Sequence, residues 1–269
     1  MELLQKMLAQ IIDRTSSLNN VYKHPLNMFQ YREILQFMGR LGDCGALQSR
    51  AEIMAASTVA HWLGLPSHHD QQKNWDTLKS LYYVLMLSSR ELPVVDVGSG
   101  INSVILKWLS KLGYQKLYAC DIRPIDPGKY PQQKIRFSVQ DLTQTNYPAS
   151  FFQAITAISV IEHGVPIDAY VKEMSRILRP GGLLLTSTDY WSEPIDCNGI
   201  YPYGSQMGRM KVFQRHEIEG FCQVAERNGL TLCSPLNLDT TERAVRWDRV
   251  DREFTFAFIA LRKTKGRYQ

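Results

Sequence analysis

A chain of 269 residues with 44% hydrophobic content is long enough for one well-buried α/β unit plus an accessory element, and its formal charge of +5 is too small and too scattered for a dedicated nucleic-acid binder. The five cysteines, Cys44, Cys120, Cys197, Cys222 and Cys233, contain no CxxC pair, which argues against a zinc site and for free thiols in a reducing compartment. No apolar run reaches membrane-spanning length and Met1 to Arg14 lacks the uninterrupted apolar core of a signal peptide, so no membrane contact and a cytoplasmic location are expected.

Residues 1–90 read as an N-terminal helical cap. Leu4, Met7, Leu8, Ile11 and Ile12 share one helical stripe, Ala51 to Leu63 carries a second, and Trp75 to Ser88 a third. Asn19-Asn20, Gly42 to Gly45 and Gly64 to Ser67 punctuate them as turns. The adjacent His68 and His69 sit on a polar loop and read as solvated side chains, not metal ligands.

Residues 91–269 read as a separate sheet domain. Val94, Val95 and Val97 form a short β-branched run that stops on Gly98-Ser99-Gly100, and Ile101 to Leu112 follows with helical spacing. A glycine turn feeding a helix N-terminus accepts an anionic or nucleotide-like ligand; an empty βα turn has the same local sequence. Further strands are expected at Lys116 to Cys120, Ile135 to Val139 and Ala154 to Ser159, then a helix over Ile167 to Leu178. Arg179-Pro180-Gly181-Gly182 breaks that helix and feeds a fifth strand, Leu183 to Thr188. This alternation predicts a doubly wound parallel sheet, with ligands beyond the C-terminal strand ends. Asp96, Asp121 and Asp141 stand at those ends. Asp121 suits a ribose diol and Asp141 an exocyclic amine, although a carboxylate capping the next helix leaves the same trace.

Asp96-Val97-Gly98-Ser99-Gly100, Asp121, Gln140-Asp141, Ser159-Val160-Ile161-Glu162-His163 and Leu178-Arg179-Pro180-Gly181-Gly182, in this order, resemble the class I S-adenosylmethionine-dependent methyltransferases. The resemblance covers Trp75 to Thr188 well and the remainder loosely. It implies a Rossmann-like, mostly parallel seven-stranded sheet ending in an antiparallel hairpin, for which Leu230 to Cys233 and Glu253 to Leu261 are available. It also implies that S-adenosyl-L-methionine is the cofactor. Asp96, Gly98, Ser99 and Gly100 would hold its methionine part, Asp121 the ribose hydroxyls, and Asp141 with the backbone of Leu142 the adenine, while Ile122 and Ser159 complete the set. Asn102 departs from the pattern where many members carry a third glycine. A nicotinamide-dependent dehydrogenase would want glycine at Ser103, and Pro131 interrupts the Tyr130 and Lys134 pair on which its catalytic helix would depend.

Methyl transfer needs alignment and, for a protonated nucleophile, a base. His163 after the fourth strand, and Asp189 and Tyr190 after the fifth, are the candidates; Glu162 and His163 read equally well as helix caps or pocket lining. Ubiquinone-pathway O-methyltransferases carry a related Glu-x-x-Glu-His arrangement associated with metal, but Ser159 replaces the first Glu here, so no metal is expected. The segment at about 189–212 mixes aromatics, methionines and carboxylates, as a substrate loop or a self-packed lid would. That loop and Lys73-Asn74-Trp75-Asp76 are similar to methyltransferases of glycan and natural-product pathways. The expected reaction is methylation of a small-molecule, natural-product or sugar acceptor, preferably at oxygen. An RNA or protein methyltransferase and a non-catalytic methyltransferase-like subunit are the alternatives, and the oligomeric state, homodimer included, stays open.

Overall fold

A computed structural model describes residues 28–87, 89–99, 103–124, 135–202, 204–205 and 208–264. The expected helix over Leu4 to Ile12, the Asn19-Asn20 turn, Gly100 to Asn102, the Tyr130 and Lys134 pair, and Tyr203 and Met207 of the 189–212 segment lie outside the described residues. In chain order the elements are α1 (Met28–Gly39), β1 (Cys44–Ala46), α2 (Arg50–Trp62), a 3₁₀ turn (Gln71–Lys73), α3 (Asn74–Leu85), β2 (Val94–Val97), α4 (Val104–Lys111), β3 (Leu117–Asp121) and β4 (Ile135–Val139). There follow β5 (Phe152–Ile158), α5 (Ile167–Ile177), β6 (Leu178–Tyr190), α6 (Arg215–Arg227), β7 (Leu230–Leu232), β8 (Leu236–Asn237), β9 (Val245–Trp247), a 3₁₀ turn (Asp248–Val250) and β10 (Arg252–Lys263).

The inner parallel strands β2, β3, β5 and β6 were legible as apolar runs because both of their faces are covered, whereas the edge strand β4 is only partly covered. Val94 belongs to an apolar cluster with residues of α1 to α4, whereas Val95 and Val97 belong to a second cluster with α5 and α6. The same alternation divides β10. Phe254, Phe256 and Phe258 enter the first cluster, while Ala257, Ile259 and Leu261 enter the second. The result is a sheet sandwiched between two helical layers. α4 opens at Val104, later than the Ile101 start read from its spacing, because Ser103 caps it: the Leu106 N–H donates to Ser103 Oγ at 3.1 Å.

Among the described residues the sheet has ten strands in the order β4-β3-β2-β5-β6-β10-β1-β8, with β7 and β9 also paired to β10. β4, β3, β2, β5 and β6 are parallel, and β10 is antiparallel to β6. The chain builds outward from β2 to β4, then returns to add β5 and β6 on the other side, so the order reverses between β2 and β5. Such a reversal opens a crevice beyond the C-terminal strand ends.

Three expectations are corrected. The sheet has ten strands instead of seven, the additions being short pieces whose pairing comes from the sheet edge. The N-terminal region is more than a cap, since Cys44 to Ala46, of which Cys44 and Gly45 were read as part of a turn, forms β1 between β10 and β8. Gly45 makes this possible: at φ 140° its Cα sits so close to β8 that a Cβ would lie 1.8 Å from the Asn237 carbonyl oxygen. Arg179 to Gly182 follows the end of α5 as expected, but it lies inside the strand and not ahead of it. Phe152 pairs with Leu178 and Ala154 with Leu183, so the intervening residues bulge within a single continuous β6.

Candidate active site

The crevice is a cleft of about 520 Å³ walled by the turns after four successive parallel strands. Gly98 follows β2; Asp121, Ile122 and Arg123 close β3; Asp141, Leu142 and Thr143 follow β4; Ser159, Val160 and His163 follow β5. Ser205 and Gly208 of the long loop complete it. Gly98 has φ 71°, and a Cβ there would meet the Val160 methyls at 2.7 and 2.8 Å. The turn is thus open to a ligand only as glycine.

Asp121 is 5% exposed and accepts from the Arg123 N–H at 2.9 Å and from its guanidinium at 3.2 Å. The Arg123 side chain is 56% exposed, so displacing it from the carboxylate costs little. Asp141 accepts from the Thr143 N–H at 2.8 Å and hydroxyl at 2.7 Å, and these bonds hold its carboxyl below the usual range. Leu142 beside it and Ile122 opposite give the cleft an apolar lining between the two acids. Asp96 lies behind the turn, away from the cleft wall. It is 3% exposed and accepts from Thr156 Oγ1 at 2.5 Å, while Ser99 Oγ turns back to donate to the Asp96 carbonyl at 3.1 Å. Burial pushes the Asp96 carboxyl up to about 6, against hydrogen bonds from Ser103, Thr156 and Ser99 that pull it down. Asp96 and Ser99 therefore brace the turn. Gly100 lies outside the described residues.

A second cavity of about 330 Å³ adjoins the first, and Ser159 and His163 line both. Its other walls are Glu162, Asp189, Lys73, the rings of Trp247, Phe254 and Phe256, and, toward the rim, His69, Asp70 and Arg249. Distant segments meet here through sheet register: Phe256 of β10 pairs with Asp189 of β6. Of the three residues expected to act in catalysis, His163 and Asp189 reach this cavity and Tyr190 does not. Successive strand residues point to opposite faces, and Tyr190 is fully buried on the other one, its hydroxyl donating to the Leu238 carbonyl at 3.0 Å.

Lys73 organises the floor. Its ammonium donates to Ser159 Oγ, lies 3.8 Å from Asp76 Oδ2 and rests 3.4 Å over the Phe256 ring. Asp76 is fully buried and accepts from Ser187 Oγ at 2.8 Å; burial pushes its carboxyl up to about 6, the Lys73 charge opposing. Burial first, and then the neighbouring Glu162, raise the Asp189 carboxyl well above the usual range. Spacing alone did not find Lys73 or Asp76, because a lysine and an aspartate at a helix start look like capping and solvation. His68 and Asp70 serve the turn: the Asp70 N–H donates to His68 Nδ1 at 3.0 Å, and Asp70 caps the 3₁₀ turn through Gln72 N–H. Burial, with His69 alongside, holds the His68 imidazole down at about 4. Among the described residues no three His, Cys, Asp or Glu side chains are grouped to hold a metal ion, and no helix is long and apolar enough to cross a membrane.

A family model described as a methyltransferase domain matches residues 68–234. No curated protein sequence matches the chain significantly. Among solved structures, the chain is similar to a methyltransferase in complex with the Haloferax volcanii Trm112 methyltransferase activator, at 15% identity over 82% of this chain and 100% of that one, with a TM-score of 0.53. It is similar to the cyclase SpnF, at 14% identity over 83% and 100%, with a TM-score of 0.53. It is also similar to Haemonchus contortus phosphoethanolamine N-methyltransferase 2 in complex with S-adenosyl-L-methionine, at 16% identity over 81% of this chain and 58% of that one, with a TM-score of 0.51. Likeness at such identity is a likeness of fold. The cleft fits that cofactor by its own chemistry: a glycine turn without room for a Cβ, a buried carboxylate able to accept from a diol, and apolar side chains flanking an outer acid.

Proposed function

Because the chain belongs to the methyltransferase-domain family and its cofactor is S-adenosyl-L-methionine, we propose that it transfers the sulfonium methyl group to a small-molecule acceptor bound in the second cavity. The observation that carries this reading is the shared wall: Ser159 and His163 line both the cofactor cleft and the adjoining cavity. An acceptor on one side of that wall faces a cofactor on the other.

In this reading the Gly98 turn receives the methionine part, Asp121 the ribose hydroxyls, and Asp141 with the Leu142 backbone the adenine. Bound there, the cofactor supplies an electrophilic methyl carbon. The protein's task is alignment and proton removal. Asp189 is suited to the second, since a carboxyl raised by burial binds a proton more readily than a solvated one. His163 stands at the junction and orients or deprotonates the nucleophile, a hydroxyl or an amine.

Calorimetry with S-adenosylhomocysteine tests the cofactor assignment. Wild-type protein should bind with a micromolar Kd, about −8 kcal/mol. Asp121→Ala, which removes charge-assisted hydrogen bonds of about 1.5–3 kcal/mol, should weaken binding by roughly one to two orders of magnitude. Absence of binding by the wild type overturns the assignment, and unchanged affinity in Asp121→Ala removes Asp121 from it.

A further inference from the structure

The second cavity has an imbalance of charge at its floor. Asp76, Glu162 and Asp189 are 0%, 1% and 5% exposed, and the ammonium beside them is that of Lys73, whose side chain is 14% exposed. Lys73 is already committed to Asp76, Ser159 and the Phe256 face. Glu162 accepts from Thr188 Oγ1 at 3.2 Å through Oε2, while its Oε1 is buried with no hydrogen-bond partner. A buried carboxylate oxygen without a donor is costly, and the group most able to relieve it is a cation with N–H donors.

The rest of the cavity matches such an occupant. Trp247 and Phe254 offer ring faces, and Lys73 over Phe256 is an internal example of an alkylammonium seated among these rings and acids. An anionic acceptor is disfavoured, because Lys73 is paired and Arg249 is exposed at the rim. Resting on the reading of the neighbouring cleft as the cofactor site, we propose that the acceptor carries a protonated amine, held by Glu162 and Asp189 with its apolar or aromatic body against Trp247 and Phe254. This narrows the hydroxyl expected from sequence to acceptors that present a cation.

Isosteric probes test this. Wild-type protein is first titrated with S-adenosylhomocysteine and then, saturated with it, with 2-phenylethylamine, 2-phenylethanol and 3-phenylpropionate. The amine should bind at least about tenfold more tightly than the other two, as a charge-assisted hydrogen bond to a carboxylate requires. Glu162→Gln, and separately Asp189→Asn, should abolish that preference while S-adenosylhomocysteine affinity stays within about twofold. Equal binding of amine and alcohol, tighter binding of the propionate, or no binding of the amine overturns the proposal. The wild-type comparison stands even if a variant misfolds. Failure of S-adenosylhomocysteine to bind while the amine preference persists supports the amine site and overturns the cofactor assignment instead.

Discussion

Replacing Asp76 by Asn should change the pH dependence of stability in a specific window. Asp76 is fully buried under the second cavity, and burial raises its carboxyl from the ordinary 3.8 to about 6, with Lys73 and the Ser187 hydroxyl opposing and Asp70 adding slightly. Below about pH 4 the folded and unfolded chains both carry the proton, and the group imposes no penalty. Between about pH 4 and 6 the unfolded chain releases it while the folded chain keeps it, so raising the pH destabilises the fold. Above about 6 the penalty is complete, and at ~1.4 kcal/mol per pH unit the gap amounts to about 3 kcal/mol. Asn is isosteric, can accept the Ser187 bond, and never ionises. Asp76→Asn should therefore match wild type at pH 4 and exceed it by about 3 kcal/mol at pH 7, measured by urea unfolding at intervals across that range. Asp96 is present in both proteins and cancels, while the Asp76 charge helps to raise Asp189, so its removal relieves that group as well and adds to the gain in the same direction. A stability gap that stays constant from pH 4 to 7 would refute the reasoning.

Two backbone positions yield further tests. Gly98→Ala places a methyl at φ 71° and within 2.8 Å of the Val160 side chain, so it should lose about 2–4 kcal/mol of stability and at least about tenfold in S-adenosylhomocysteine affinity. Adding Val160→Ala should recover part of the loss, with a coupling of about 1 kcal/mol or more in a double-mutant cycle; strict additivity would contradict the contact. Gly45→Ala drives a methyl to 1.8 Å from the Asn237 carbonyl oxygen and should cost more than about 3 kcal/mol by denaturant unfolding. Wild-type stability in that variant would mean β1 does not approach β8 as described.

The sheet and the cleft at its strand ends were legible in the chain because their signals are local. Val94 to Gly98 reads as a buried strand ending in a glycine turn whatever surrounds it, Asp121 ends its own strand and Asp141 follows its own by two residues. Alternating strands and helices then leave few topologies, and the strand ends must line up in space. The second cavity has no local signal. Lys73, Glu162, Asp189 and Phe256 belong to four separate segments, and they meet only because β10 lies antiparallel to β6 in the register that sets Phe256 against Asp189. That register also decided between two adjacent candidates, turning Asp189 into the cavity and Tyr190 onto Leu238. It likewise made a strand of Cys44 to Ala46, whose residues have little strand preference, once β10 and β8 offered an edge on either side. Composition and spacing thus determined where the strand-end cleft lies, while long-range strand pairing, which no window of sequence encodes, decided what stands across from it.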